Sequence, residues 1–530
     1  MNKPGKEGKE MKINGKKYTW YKAPFNNKNY SSRIVSRKGA SPIPTGKSKV
    51  TSWDTVMDLI QDGDVISYPH YYRFGDRGLQ LAVDALQKKK KKDIILYANA
   101  IFDHTDPWLF EAFRDGTLAG LYGNVYRKFG EHVISGDLLP WVTVGFSHGN
   151  RVRKLQTGEV RVKMAFAPVP LADQYGNATG LKGPDEQLCG PLGLASADWE
   201  FADYTCLLAG EVSPRLVAPF SLSMEQTDFV VPVESPGVSS GIGSGTLNLE
   251  KVRSHPLNAR IAENVVRVMK AAGVVKDQFS FQVGAGAGLI VLDSIRSILK
   301  ESRIQAGFSI GGVTSMHVDM LEEGSIQQLL HGQLFEPSRK VIESLLESPR
   351  HVEITTGYYA SVANKECAVN QLDLAVLSAL EVDREFNVNT VCANGRIIGG
   401  IGGGQDVAAG AGLTIIFLPL ATGKKGLAFP KIQDRVYTRT TPGDVIDVVV
   451  TEDFAAVNPN SRSPYRDAVV ENEKKFGLKL LSIDELRQKA ADQAREIGRI
   501  PERSETTDDI LHAVEWRDGT LLDVIRRTAD

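Results

Sequence analysis

Two short segments each place a histidine three residues before an arginine, beside glycine: Pro69-His70-Tyr71-Tyr72-Arg73-Phe74-Gly75 and Ser147-His148-Gly149-Asn150-Arg151. Arginine offers a carboxylate a planar fork, and histidine a proton that its surroundings can tune, so such pairs suit recognition of an anionic acid. Two glycine-rich loops add backbone donors. Gly284-Ala285-Gly286-Ala287-Gly288 separates a strand-like run from a helical one, where amides can approach a phosphate, a carboxylate or a developing oxyanion. Gly399-Gly400-Ile401-Gly402-Gly403-Gly404-Gln405-Asp406 is denser and precedes a small-residue helical segment, then the apolar run Leu413–Leu418. Neither loop continues into Gly-Lys-Ser/Thr, which excludes a P-loop, and the first lacks the spacing and the downstream acid of a dinucleotide fingerprint. His317-Val318-Asp319 is too short for a metal site, and the chain has no HExxH, GxSxG or CxxC. No metal and no tightly bound cofactor is expected.

The elements that must position these residues alternate in type. Ser52–Gln61, Leu79–Leu86, Arg260–Ala272 and Gly288–Lys300 have helical spacing of apolar residues, while Val65–Tyr68, Asp93–Tyr97, Phe279–Val283 and Gln305–Ile310 read as short buried strands. This interleaving predicts an α/β fold with mainly parallel sheets. A shift of 210 residues superposes Gly78-Leu79 on Gly288-Leu289, and Ala165, Asp173 and Asn177 on Ala375, Asp383 and Asn387. Two matches at one offset indicate a duplicated domain: 51–240 and 247–530, joined through the Gly/Ser stretch Ser235–Thr246, with a ligand site between them.

Composition narrows the function classes. The 530 residues carry 63 basic and 64 acidic side chains, a net charge of −1. Residues 1–50, a basic arm, hold eleven Lys and two Arg against Glu7 and Glu10, or +11, leaving −12 for the remainder. A body without a basic stripe argues against nucleic-acid binding. No run approaches the ~20 apolar residues of a spanning helix, and four scattered cysteines fit a reducing compartment, so a cytoplasmic protein is expected. The run Lys88–Lys92 reads as a helix end in solvent.

The segment Ser378-Ala379-Leu380-Glu381-Val382-Asp383-Arg384-Glu385-Phe386-Asn387-Val388-Asn389, followed by the Gly400–Asp406 turn, resembles the acyl-CoA transferase superfamily, and specifically the α subunit of ATP-independent citrate lyase, the citrate CoA-transferase. SHGNR at Ser147–Arg151, VPLADQYGNATG at Val169–Gly180, GGVTSMHVDM at Gly311–Met320, AVNP at Ala456–Pro459 and RDGTLLDVIR at Arg517–Arg526 agree. The resemblance runs from about Ser52 to the C-terminus. It implies two NagB-like domains and exchange of acetyl for citryl on a thioester, carried by free CoA or by the prosthetic group of an acyl carrier (gamma) subunit. A citryl lyase (beta) subunit would use the product, and a homo-oligomer is expected. In that light Gly284, Gly286, Gly288, Gly400, Gly402, Gly403 and Gly404 are the candidates to hold the thioester and its oxyanions. His70, Arg73, Arg151 and Asn387 are the candidates for the acid, and Asp319, Glu381 and His148 for catalysis. Asp319 stands where related transferases carry a glutamate nucleophile; its shorter side chain favours direct attack by the acceptor carboxylate in a ternary complex. The competing expectations are a stand-alone CoA-transferase for another di- or tricarboxylate and a non-catalytic NagB-like ligand sensor.

Overall fold

The computed structural model describes residues 11–13, 16–18, 47–243, 255–284, 288–393 and 395–529. Most of the expected basic arm, the linker residues 244–254, and Gly286 lie outside them. Labels below cover the strands along the main path of the two large sheets, leaving out the two-residue strand Ala178–Thr179, and the helices that bear on the site.

The first sheet comprises β1 (Val65–Tyr68), β2 (Ile94–Ile101), β3 (Leu118–Val125), β4 (Thr143–Gly145), β5 (Met164–Asp173), β6 (Tyr204–Ser213) and β7 (Phe229–Pro232). Their order is β7-β6-β5-β1-β2-β3-β4, all parallel. The second comprises β8 (Phe281–Val283), β9 (Ala306–Val313), β10 (Ile326–Leu334), β11 (His351–Glu353), β12 (Leu374–Ser378), β13 (Leu413–Phe417) and β14 (Val448–Val450). Its order, β14-β13-β12-β8-β9-β10-β11, repeats the first strand for strand, again all parallel. Counterpart strands start between 208 residues apart (Leu118 and Ile326) and 219 apart (Phe229 and Val448). Connections follow suit: α1 (Gly78–Lys88) and α3 (Leu289–Ser302) follow the first strands, and α2 (His148–Gln156) and α5 (Thr356–Ala360) follow the fourth. Strands such as β5, Met-Ala-Phe-Ala-Pro-Val-Pro-Leu-Ala-Asp, are buried along almost their whole length, because helices cover both faces of a parallel sheet. Helix α1 faces the core with Leu79, Ala82, Val83 and Leu86, one stripe at i, i+3, i+4 and i+7.

The repeated Asp and Asn have a structural explanation. Asp173 Oδ1 accepts the amides of Tyr175, Gly176 and Asn177, while Oδ2 accepts the Asn177 carboxamide at 2.7 Å. Asp383 Oδ1 accepts the amides of Glu385 and Asn387, and Oδ2 the Asn387 carboxamide at 3.2 Å. Each carboxylate folds the corner after its strand.

One feature departs from the sequence expectation, whereas the Lys88–Lys92 run ends a helix at the surface as expected, with Lys88, Lys90 and Lys92 exposed. The C-terminal hairpin, β16 (Thr506–Glu515) and β17 (Leu521–Thr528), falls within the expected second domain, 247–530, but extends the first sheet beyond β4, where His512 pairs with Thr143; β15 (Ala455–Val457) edges the second sheet. A parallel partner almost 370 residues away leaves no local signature. In the Lys88–Lys92 run, α1 ends at Lys88, Lys89 pairs with Asp54 and Asp58, and Lys91 and Lys92 bond the carbonyls of Ile60 and Asp115. This run is thus largely tied to its own domain.

His512 is buried where the hairpin docks, with Nδ1 2.8 Å from Thr143 Oγ1. Burial pushes its pKa down to about 4. The unfolded side chain titrates near 6.5, so from pH 6.5 to 4 the unfolded chain takes up the proton first and stability falls with pH. His512→Gln removes this contribution. Urea unfolding between pH 7 and 4 is expected to show the wild type losing about 2–3 kcal/mol more than the variant; equal losses would contradict the assignment.

Candidate active site

The carboxyl ends of the two parallel sheets meet across a cavity of about 310 Å³, the place where open α/β sheets bind ligands. From the first half, β1 delivers His70 and Arg73, β2 Asn99, β3 Asn124, and the start of α2 His148. From the second come Gln282 on β8 and Gly284 just after it, Thr356 and Tyr359 on α5, and the Gly400–Gly404 loop. His148 and Thr356 occupy equivalent positions in the repeat, each the first residue of its helix after a Ser147 or Thr355 cap.

Arg73 is the cavity's arginine. Its backbone lies in the left-handed region at φ 53°, at the start of a single helical turn. Its guanidinium stacks near Phe102 and Phe335, 5.9 and 5.5 Å from the ring centres. Among the described residues no carboxylate pairs with it, and its Nε has no hydrogen-bond partner. A guanidinium stays charged even when partly desolvated, so this cation awaits an anion. His70 is buried with its Nδ1 unpartnered, edge-on to Phe102. Burial, then Arg73 and His148, push its pKa well below the ordinary histidine value. His148 is held down to about 4 by desolvation and by Arg151. Both imidazoles are therefore neutral near pH 7, each with one donor and one acceptor.

The dense glycine loop is anchored to the first half. His148 N–H donates to the Gly402 carbonyl at 3.0 Å, and Asn124 Oδ1 accepts the Ile401 amide at 3.0 Å. Asp406, fully buried on α6 (Gly404–Gly410), accepts Ser147 Oγ at 2.8 Å and the Gly149 amide at 2.9 Å, with Arg517 Nε at 3.6 Å. Burial pushes its pKa up to about 6, against the opposing pull of Arg517. Glycine is required where these parts touch: a Cβ on Gly149 would lie 2.2 Å from the Ala360 carbonyl, and one on Gly403 2.4 Å from Tyr359 Oη. Among the described residues the amides of Gly402 and Gly403 have no acceptor, which leaves two adjacent donors for a developing oxyanion. No Asp or Glu occurs among the described lining residues.

The structure brings His70, Arg73, His148, Gly284, Gly400, Gly402, Gly403 and Gly404 to the cavity. The other candidates are placed elsewhere. Arg151, one helical turn beyond His148, forms a buried bidentate pair with Asp198 at 2.8 and 2.9 Å and also bonds Ser67, so its charge is already matched. Asp319, on α4 (Ser315–Glu322), is ion-paired with Lys340 at 2.5 Å and lies off the cavity. Glu381 accepts the Asn389 carboxamide and the Tyr437 amide, both at 2.9 Å, and so braces the strand that follows β12. Asn387 belongs to the Asp383 corner, its Oδ1 accepting the Gly443 amide. Gly284 reaches the cavity with its amide already given to the Val376 carbonyl; Gly288 caps α3 away from the lining; Gly286 lies outside the described residues. Sequence reasoning missed Asn99, Asn124 and Gln282, single polar residues in apolar strands, and Tyr359 on the short helix α5, none with a motif around it. It quoted Asp406 without assigning it a role.

A tandem repeat of parallel α/β domains thus sets a guanidinium and, among the described residues, two free glycine amides at its facing strand ends. Residues 47–528 match the family profile described as the citrate lyase alpha subunit, and the chain belongs to that family. It is 36% identical over 471 residues to the citrate lyase alpha chain of Klebsiella pneumoniae, covering 88% of each chain. It is 34% identical over 473 residues to that of Escherichia coli, covering 89% of each. A protein from Streptococcus mutans described as the alpha subunit of citrate lyase, solved in complex with citrate, superposes with a TM-score of 0.85 at 32% identity, covering 92% of this chain and 93% of that one.

Gly403 has φ −94°, which any residue tolerates, so Gly403→Ala acts only through its contact with Tyr359. The variant is expected to lose about 100-fold in acyl-transfer rate, the scale of one oxyanion donor. Tyr359→Phe in the same chain should restore part of it. An unimpaired Gly403→Ala protein would remove the loop from the reaction.

Proposed function

We propose that this chain exchanges acetyl for citryl on a thioester by direct attack of the acceptor. The observation that carries the reading is a cavity with an unpaired arginine and two free amides but no carboxylate among its described lining residues. One carboxylate of citrate attacks the acetyl thioester carbonyl; the tetrahedral oxyanion collapses, the C–S bond breaks, and a mixed anhydride and a thiolate result. The thiolate then attacks the citryl carbonyl of the anhydride, forming citryl thioester and releasing acetate. No net proton moves, which suits a site whose histidines are neutral. Arg73 holds a second citrate carboxylate, the Gly402 and Gly403 amides take the oxyanions, and confinement raises the effective concentration of the reactants.

The acyl donor is acetyl-CoA or a phosphopantetheine-type thioester on an acyl carrier subunit, and a lyase subunit consumes the citryl thioester. Membership of an alpha-subunit family supports such an assembly. Among the described residues no helix is long and apolar enough to cross a membrane.

Incubation with acetyl-CoA and citrate, followed by mass spectrometry, is expected to yield citryl-CoA and acetate. Malonate, succinate and acetoacetate should serve far less well. Arg73→Met should lower kcat/KM for citrate about 10- to 100-fold, the loss of a charge-assisted hydrogen bond, with the KM for acetyl-CoA little changed. Absence of exchange with every acid would defeat the enzymatic reading, and better use of another acid would reassign the acceptor.

A further inference from the structure

The ladder between β2 and β3 breaks beside the cavity. Tyr97 pairs with Tyr122 and Ala100 with Asn124, so β2 carries one extra residue at Ala98–Asn99. Opposite this bulge stands Gly123 at φ 151°, where a Cβ would lie 2.7 Å from the Ala98 carbonyl oxygen. Bulges re-aim a side chain, and here the one re-aimed is Asn99. It is 2% exposed, lines the cavity, and its Nδ2 has no hydrogen-bond partner. Tyr68 pairs with Ala98, so His70 and Asn99 leave neighbouring strands close together, and His70 Nδ1 is unpartnered too. Asn124, by contrast, is fully used: its Nδ2 donates to the carbonyls of Asn99 and Phe146, and its Oδ1 accepts the Ile401 amide. It holds the Asn99 backbone in place.

A buried carboxamide without a partner is costly, so a ligand group that satisfies it is strongly favoured. A carboxylate can only accept, so it would use the Nδ2 donor alone and offer nothing to the Asn99 carboxamide oxygen. A hydroxyl both donates and accepts, as does a carboxamide, so the two are complementary. We propose that Asn99 is a specificity-determining residue whose carboxamide bonds the tertiary hydroxyl of the acceptor tricarboxylate, selecting the hydroxy acid over its deoxy analogue. This assignment rests on the acyl exchange proposed above.

The test compares exchange from acetyl-CoA to citrate and to tricarballylate, the same acid without the hydroxyl. The wild type is expected to favour citrate in kcat/KM by about 100-fold or more, because sites built to bond a hydroxyl reject analogues lacking it. Asn99→Ala should reduce that preference at least tenfold, the loss falling on citrate. An unchanged preference, or equal losses on both acids, overturns the assignment. Calorimetric binding of the two acids to the wild type needs no variant: tighter citrate binding supports the assignment, and equal affinity overturns it. Wild-type protein that exchanges with neither acid overturns the transferase reading itself, whereas exchange without preference overturns the role of Asn99 alone.

Discussion

One buried carboxylate sets the relation between the two halves of the molecule at the point where chemistry would occur. Asp406 belongs to the glycine loop of the second half, yet both its oxygens are bonded by the start of α2 in the first, through Ser147 Oγ and the Gly149 amide. Removing a charge from water is tolerated only when its oxygens are met, and Arg517, from the hairpin that joins the first sheet, completes the set at 3.6 Å. The same junction fixes the Gly402 carbonyl on the His148 amide, while the Gly402 and Gly403 amides have no acceptor among the described residues. Together with the Ile401 amide held by Asn124 Oδ1, it fixes the spacing between the oxyanion donors and the arginine.

The charge distribution around the cavity follows from burial. Two arginines lie within a few residues of the two histidines, but only Arg151 has a carboxylate, and that pair is sealed in the core with Tyr97 against its guanidinium. Arg73 has aromatic rings in place of an acid. Buried charge needs compensation, and an anionic substrate supplies what the protein withholds. The absence of Asp and Glu from the described lining has a second consequence: an enzyme carboxylate beside Arg73 would neutralise it and repel a polyanionic acceptor. A site built to receive citrate and a site built around its own carboxylate nucleophile make opposed demands on the same few ångströms.

Much of the scaffold could be read from the sequence because it rests on local periodicity. Val65–Tyr68 is a strand at the expected bounds, and Gly78–Lys88 and Leu289–Ser302 are helices shifted from expectation by one or two residues. The 210-residue offset also reflected a real duplication, visible in the identical strand orders. Its matched Asp and Asn mark a turn, however: duplication preserves what a chain needs to fold, and Asp383 and Asn387 do in the second half what Asp173 and Asn177 do in the first. The site was legible only in part. His70, Arg73 and the second glycine loop carry local motifs. Arg151 shares that motif but points one helical turn further in, toward Asp198, 47 residues away in sequence. Asn99 depends on a bulge that only its pairing with β3 reveals, and the hairpin bearing Arg517 depends on a sheet edge formed hundreds of residues earlier.

The central claim is that acyl transfer occurs without an acyl-enzyme, both substrates being held at once between the facing sheet ends. Initial rates measured while acetyl-CoA and citrate are varied against each other test it most directly. Intersecting double-reciprocal lines, the pattern of a ternary complex, are the predicted result. Parallel lines, the ping-pong pattern of an enzyme that carries the acyl group between half-reactions, would contradict it.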